Sequence, residues 1–180
     1  MERKAFGELE LVFPTEEYME KVQDYLKEHF DCEEYILSGD GGLDEIKDYT
    51  RWLEKIRQDA DVNSVKPGRV PSTQYLAIRK ADQRVVGMIQ IRHYLNEFLL
   101  KEGGHIGDGV RPSERNKGYA TEMIRLALEE CEKLNISKVL MTCNKENIPS
   151  RKSIENNGGI FENEVLASDG HITLRFWIEI

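Results

Sequence analysis

The sequence is poor in cysteine, lacks a long apolar run and is short of positive charge. Its 3 cysteines, Cys32, Cys131 and Cys143, are far apart and lack CxxC spacing, so we expect reduced, mostly buried thiols. No stretch approaches the roughly 18–20 apolar residues that a membrane-spanning helix needs. A disulfide framework, a thiolate metal centre and a membrane span are thereby disfavoured, and we expect no metal.

The charge balance is acidic. Asp and Glu number 33 against 25 Lys and Arg, which gives a formal net charge of −8. Nucleic-acid binding is disfavoured because it usually needs a basic face. The balance favours solubility, or a neutral or cationic small partner. The charged start, Met1–Lys4, contains no apolar targeting segment, and we therefore expect a cytoplasmic protein.

Hydrophobic periodicity predicts one domain spanning residues 1–180, with alternating strands and helices. Its fold class is α/β (α+β), with a mixed, mainly antiparallel central sheet flanked by helices in the order β-α-α-β-β-β-α-β-α-β-β. The strands before and after the third helix are expected to be a parallel pair. Strands are predicted at 9–13, 75–79, 85–92, 105–110, 138–143 and twice near the end; helices are predicted at 16–30, 43–56, 120–134 and after Asn147.

Three other segments have weaker signals. The glycines of Gly39–Gly42 follow no strand and precede no GK[ST] string, so we interpret them as a turn rather than a phosphate loop. Residues 61–74 hold two prolines without periodicity, which predicts a long loop. The final strand, Ile172–Ile180, has a strongly apolar face that suits either the core or the interface of a homodimer.

The most informative stretch runs from Gly107 to Leu134. A glycine-containing strand leads into a basic turn, Arg115–Ala120, and then into an amphipathic helix. Small residues at Gly118 and Ala120 let a ligand approach backbone N–H groups at a helix N-terminus, which is a favourable place for a phosphate. This order alone predicts an anion site.

The turn and its surroundings resemble the GNAT superfamily of acyl-CoA-dependent N-acetyltransferases. The resemblance covers about residues 75–161, and the turn has the form [Q/R]-x-x-G-x-[G/A]. Further similarity lies in Asn147 and in the segment Ser150–Gly159, which looks like the family's second motif helix. The order of elements along the whole chain also fits that fold, whereas the GxGxxG and GxxxxGK[ST] strings of other nucleotide-binding folds are absent.

The resemblance implies acetyl-CoA as co-substrate and assigns the coenzyme contacts. Backbone amides of the turn would bind the pyrophosphate, and Val110 would contact the pantetheine arm through its main chain. Asn147 and Ser150 would contact the arm from the following helix. The thioester would lie where two neighbouring parallel strands splay apart. The implied pyrophosphate-binding residues are Arg115, Asn116, Lys117, Gly118, Tyr119, Ala120 and Thr121.

The catalytic residues are less well defined. An ammonium group must lose a proton before it attacks the thioester, so a base is needed. His105 and Asp108 are the candidates, with Glu97 as a rival. Many relatives carry a tyrosine in the second motif helix that protonates the departing thiolate, but the matching position here is Ile154. Because a thiol has a pKa of about 8.5 and leaves tolerably unaided, transfer does not require that acid.

The expected acceptor is a primary amine of a small molecule or a peptide. Tyr49, Trp52 and Arg69 could line its pocket, although Tyr49 and Trp52 also suit a helix face that packs in the core. A non-catalytic acyl-CoA-binding or regulatory domain is the alternative, because the tyrosine is missing and the base is uncertain. No nucleic acid and no membrane is expected as a partner.

Overall fold

A computed structural model describes residues 7–180; the charged start discussed above, residues 1–6, lies outside the described part. The strands and helices follow the predicted order, with short helical turns at Glu16–Tyr18, Leu99–Gly103 and Pro112–Glu114. The elements are β1 (Leu9–Val12), α1 (Met19–Asp31), α2 (Leu43–Ile46), α3 (Tyr49–Asp59), β2 (Ser72–Arg79), β3 (Arg84–Arg92), β4 (Ile106–Val110), α4 (Tyr119–Lys133), β5 (Lys138–Asn144), α5 (Ile148–Glu155), β6 (Ile160–Leu166) and β7 (Ile172–Glu179).

The first four strands form one antiparallel sheet in the order β1-β2-β3-β4. β2 begins at Ser72, so the last residues of the predicted loop 61–74 belong to a strand. One face of this sheet packs against α4, and the other packs against α1 and α3. Fully buried Ile89 and Met88 are neighbours in β3 that serve these two faces, as strand alternation requires. Both faces of the sheet are thus covered by helices.

The last three strands form a second antiparallel sheet in the order β5-β7-β6. The mixed α/β class with antiparallel strands and flanking helices is confirmed, but the predicted parallel pair does not form a ladder. Instead, β4 and β5 touch at one end only, where the His105 N–H donates to the Leu140 carbonyl at 2.7 Å. The two sheets meet at this contact and are not hydrogen-bonded as strands beyond it.

The final strand lies at the centre of the second sheet. Leu174, Phe176 and Ile178 are buried, and they pack against the apolar face of α4. The apolar face of this strand therefore serves the core of the chain itself. Its neighbour β6 is the edge strand and leaves Ile160 exposed.

The predicted helix over 43–56 is interrupted. α2 ends where Lys47 adopts a left-handed conformation, with φ of 58°, and α3 restarts behind Asp48. The Asp48 carboxylate accepts a hydrogen bond from the Arg51 N–H, which caps the new helix. The apolar spacing continued across the break because α2 and α3 bury side chains in the same part of the core.

The cysteine and membrane expectations can be compared with residues 7–180. Cys131 and Cys143 are buried as predicted, whereas Cys32 is exposed, because it lies just beyond the C-terminal end of α1. Within the described residues, no helix is both long enough and apolar enough to cross a membrane. No group of three or more potential metal-binding side chains occurs in the same range.

Two isoleucines test the assignment of core and edge. Ile178 is 3% exposed and Ile160 is 72% exposed. We expect Ile178→Ala to lower the free energy of unfolding by about 2–5 kcal/mol, because it removes buried methyl groups and leaves a cavity. Ile160→Ala, the matched control, should change it by no more than about 0.5 kcal/mol. Urea unfolding measures both, and similar losses would contradict the assignment.

Candidate functional site

The backbone of the basic turn is free to bind a ligand. Asn116 and Gly118 have positive φ of 60° and 83°, and α4 begins directly after Gly118 without a side-chain cap. Between residues 7 and 180, no acceptor takes a hydrogen bond from the backbone N–H groups of residues 116–121. Free N–H donors at the positive end of a helix dipole are the kind of arrangement that can bind an anion.

A buried carboxylate, that of Glu114, holds this turn in place. Glu114 is 2% exposed and accepts hydrogen bonds from Arg79 at 2.8 Å, Arg84 at 2.9 Å and Lys117 at 2.8 Å. Burial alone would raise the pKa of Glu114, but Lys117 and Arg79 lower it overall, so the carboxylate stays ionised. Lys117 is thus directed to Glu114 and does not line the cavity in front of the turn.

A second group of ion pairs fixes the segment before the turn. Glu28 of α1 accepts from the Arg111 Nε at 2.9 Å and from the Ser113 N–H at 2.8 Å. Arg111 is 1% exposed and also pairs with Asp24 at 2.7 Å. Since buried charges are stable only when paired, these contacts tie α1 to the end of β4.

Arg115 links the turn to the loop after α1. Its guanidinium donates to both Glu34 oxygens, at 2.6 and 2.7 Å, and its Nε donates to the Val110 carbonyl at 3.1 Å. The pairing with Arg115 lowers the pKa of Glu34 to about 2. The positive charge of Arg115, which the sequence suggested for ligand binding, is therefore largely neutralised by Glu34.

In front of the turn lies a cavity of about 1790 Å³, which extends between β4 and β5. It is large for a single small ligand and has room for a coenzyme and an acceptor. The sequence-predicted residues that line it are Asp108, Val110, Arg115, Asn116, Gly118, Tyr119, Ala120, Thr121, Asn147 and Ser150. These residues come from three separate stretches of the chain, in β4, in the turn with the start of α4, and at the start of α5.

The splay of β4 and β5 opens this cavity. At the closed end, Gly104 adopts φ of 66°, and a Cβ there would lie 2.6 Å from the Leu140 carbonyl oxygen. Beyond this contact the strands separate, and Gly107–Val110 and Thr142–Asn144 both line the cavity. A narrow ligand can therefore lie between the strands and form hydrogen bonds with backbone groups that are not used in a ladder.

His105 is part of the closed end rather than the cavity wall. It is 6% exposed, and its Nδ1 accepts a hydrogen bond from the Leu140 N–H at 2.9 Å. Burial, assisted by the positive charge of Arg92, lowers the pKa of His105 to about 4. The ring is therefore neutral near pH 7 and holds β4 against β5.

Asp108 lines the cavity and has a different environment. Within residues 7–180, its carboxylate accepts no hydrogen bond and forms no ion pair. Burial raises its pKa to about 6, and the nearby charge of Arg92 opposes that rise. A carboxylate with this pKa is ionised at neutral pH and can still take up a proton. Glu97 is exposed outside the cavity.

α5 lies across the cavity from β4. Asn147 caps this helix through a hydrogen bond from the Ser150 N–H at 3.2 Å, and both residues line the cavity. Ile154, the position matched to the family's tyrosine, is fully buried in the core. Cys143 lines the cavity, but burial raises its pKa to about 11, so its thiol is a poor nucleophile.

The outer half of the cavity differs from the sequence-based expectation. Tyr49 and Trp52 are buried in the core, where Trp52 donates to the Asp40 carbonyl at 2.8 Å, and only Arg69 lines the cavity. The wall of the cavity also contains residues of the segment 36–46 and Arg92 of β3. The sequence did not indicate a role for either. Arg92 is the last residue of β3, and nothing in the neighbouring sequence indicated that its side chain would line a cavity.

Known structures share this fold. RimJ from Mycobacterium smegmatis, in complex with CoA-disulfide, superposes with a TM-score of 0.71 at 18% identity, covering 95% of this chain and 81% of that chain. A ribosomal-protein-S5-alanine acetyltransferase from Vibrio fischeri gives 0.73 at 10% identity, with coverage of 97% and 94%. A spermidine N-acetyltransferase chimera from Vibrio cholerae SpeG and hSSAT gives 0.64 at 15% identity, with coverage of 96% of each chain.

Sequence comparisons agree with this likeness. The uncharacterized N-acetyltransferase YnaD from Bacillus subtilis is 29% identical over 86 residues, which is 47% of this chain and about half (48%) of that relative. A family model described as an acetyltransferase (GNAT) domain matches residues 9–160, which is most of the chain. The match spans the N-terminal strand, the splayed strands, the turn and α5, and the chain therefore belongs to the GNAT acetyltransferase family.

Proposed function

We propose that this protein transfers the acetyl group of acetyl-CoA to a primary amine by direct attack of the amine on the thioester. The observation that carries the proposal is the row of backbone N–H groups at residues 116–121, which have no acceptor in the described chain and belong to a turn that, except for Lys117, lines a large cavity. A pyrophosphate matches these donors in charge and in hydrogen bonding. The CoA in the complex of RimJ supports the same choice of ligand.

The same proposal places the rest of the coenzyme in the cavity. From the turn, the pantetheine arm would pass between β4 and β5, with the main chain of Val110 on one side. Asn147 and Ser150 would contact it from α5. This path ends beside Asp108, at the narrow end of the splay. The proposed contacts of Arg115 and Tyr119 are through their backbone, because both side chains already have partners.

Asp108 is the proposed general base. Its carboxylate lines the cavity and has no partner in the described chain, so it can accept the proton of the incoming ammonium directly or through a water. His105 is the weaker candidate, because its Nδ1 accepts a bond from Leu140 and its pKa is about 4. The deprotonated amine would attack the thioester carbon, and an unpaired backbone N–H in the splay would stabilise the oxyanion.

The thiolate of the coenzyme would leave without a dedicated acid. Ile154 cannot donate a proton, and a thiol with a pKa of about 8.5 is a tolerable leaving group. No covalent enzyme intermediate is proposed, because the raised pKa of Cys143 keeps that thiol protonated. Transfer thus occurs in one complex that holds both substrates.

Gly118→Glu tests the coenzyme site. The new carboxylate would lie among the N–H groups and repel the pyrophosphate, so we expect the affinity for CoA to fall about 100-fold or more, equivalent to about 2.7 kcal/mol. Gly158→Glu is the matched control, because Gly158 has φ of 84° against 83° for Gly118, and space around it is open. Calorimetric titration with CoA measures both, and equal affinities would contradict the site.

Asp108→Asn tests the base. We expect kcat to fall about 10²- to 10⁴-fold, because the amide cannot accept the proton. In the wild type, kcat/KM should rise with pH through about 6, where Asp108 ionises, and this limb should be absent from the variant. His105→Gln should retain the limb. Rates of CoA release across the pH range measure this, and loss of the limb in His105→Gln instead would contradict the assignment.

The same Asp108 variant should be more stable than the wild type at neutral pH. Because the pKa is raised from 3.8 to about 6 on folding, the native protein binds this proton more tightly than the unfolded chain. The stability that Asp108 contributes is thus complete at low pH and is lost as pH rises through about 6. Asn does not titrate, so urea midpoints of the two proteins should diverge between about pH 4 and 7. Parallel curves would show that Asp108 is not desolvated.

A further inference from the structure

Arg92 lies in the wall of the cavity beside the proposed base. It ends β3, and its Nη1 donates to the Gly103 and Gly104 carbonyls at 3.0 and 3.4 Å. A Cβ on Gly107 would lie only 3.0 Å from its Nη2, so the glycine gives the guanidinium room to lie against β4. Arg92 and Asp108 both line the cavity, and each charge shifts the pKa of the other, so Arg92 lies near the proposed base.

The guanidinium of Arg92 has no carboxylate partner in the described chain. Its hydrogen bonds reach only two neutral carbonyls, and all of them start from one of its three nitrogens. Burial lowers the pKa of Arg92, and the nearby charge of Asp108 offsets this effect only in part. Buried charges normally have a partner, because an isolated one costs several kcal/mol. The remaining nitrogens are thus available to an oxygen of a ligand in the cavity.

The carboxylates that line the outer half of the cavity are mostly occupied. Asp40 accepts from the Gly42 and Asp44 N–H groups, and Asp44 accepts from the Leu37 N–H. Asp59 pairs with Lys55, and Glu102 accepts from the Ser168 N–H and hydroxyl. By contrast, the side chains of Arg69 and Lys66 at the mouth form no ion pair in residues 7–180. Arg69 and Lys66 are thus lining cations that no carboxylate of the described chain pairs with directly.

We propose that Arg92 binds a carboxylate or carbonyl oxygen of the acceptor, and that the acceptor is an amine with this oxygen on the neighbouring carbon, as in an amino acid or a peptide N-terminus. In such a compound the nitrogen and the carbonyl carbon are joined through a single carbon. An oxygen held by Arg92 therefore brings the amine to Asp108. This assignment rests on the proposed function and specifies the acceptor of that same site.

A simple alkylamine or a polyamine is a poorer fit. Neither offers an oxygen to the unused guanidinium nitrogens, and a polyamine brings further positive charge towards Arg92. At close range two like charges in a poorly solvated site repel each other strongly. The geometry thus selects between the acceptor classes that the family resemblance leaves open.

Arg92→Gln tests this subsite with a matched set of amines. Glycine supplies a carboxylate, glycylglycinamide a carbonyl, and propylamine neither. At about pH 8, where Asp108 with its pKa of about 6 stays ionised, we expect Arg92→Gln to lower kcat/KM for glycine or glycylglycinamide about 10- to 100-fold. Most of the loss should be in KM, and the value for propylamine should stay within about threefold of the wild type. If kcat/KM falls more for glycine, the oxygen bound by Arg92 is that of a carboxylate. If it falls more for glycylglycinamide, the oxygen is that of a carbonyl.

Two other variants separate the role of Arg92 from general damage. Gly107→Ala keeps the positive charge of Arg92 but displaces the guanidinium. It should therefore lower kcat/KM for the same amines as Arg92→Gln, by a smaller factor, and leave propylamine little changed. Arg57→Gln removes an arginine from the outer surface of α3, where it pairs with Glu16, and should leave all three amines unchanged. Calorimetric titration of each amine into the CoA-saturated protein tests the subsite independently of turnover.

The outcomes are distinct. Tighter binding of glycine or glycylglycinamide than of propylamine, lost in Arg92→Gln, supports the subsite even without transfer, whereas absence of transfer from every amine overturns the proposed function. Equal losses for all amines, or a wild type that prefers propylamine or spermidine, would overturn the role of Arg92 while leaving acetyl transfer intact.

Discussion

Ion pairing behind the turn is the interaction on which the rest of the site depends. Glu28 and Glu114 are each reached by several cations, and through them α1, β2 and β3 hold the segment 111–117 in one conformation. The turn can therefore keep its own N–H groups free of internal acceptors. In an isolated loop, these groups would find acceptors because the loop folds back on itself or binds water. Preorganised donors cost no rearrangement when an anion binds.

Pairing within the chain also explains how an acidic protein keeps some cations of its cavity available to a ligand. Many of its carboxylates are used within the chain, as partners of arginines or as acceptors of backbone N–H groups. The net charge of the protein therefore does not show which charged groups of the site are available to a ligand. Within residues 7–180, the Asp108 carboxylate and most of the Arg92 guanidinium have no hydrogen-bond or ion-pair partner. Both groups are desolvated, and both line the cavity.

The divergence of β4 from β5 gives these groups their access. A continuous ladder would have consumed the backbone donors and closed the space in which a thioester could lie. The His105 ring and the close approach at Gly104 join the strands at one end, and the strands can then part without loss of the core. The His105 ring, a candidate base in the sequence, has a structural contact here, because its Nδ1 accepts from the Leu140 N–H and its pKa is lowered to about 4. The carboxylate three residues later faces the opened space.

The sequence by itself determined the features that depend on near neighbours. Alternation and helical spacing are set by contacts within a few residues, so the order of elements, the α4 face and the glycine turn were predictable. The break at Lys47 was not, because the apolar spacing continued through it. Tertiary structure decided which charged groups are free, since the pairs Glu28–Arg111 and Glu34–Arg115 join residues 83 and 81 positions apart. It also separated His105 from Asp108, because burial and distant partners, not residue type, set whether a side chain has a proton to exchange.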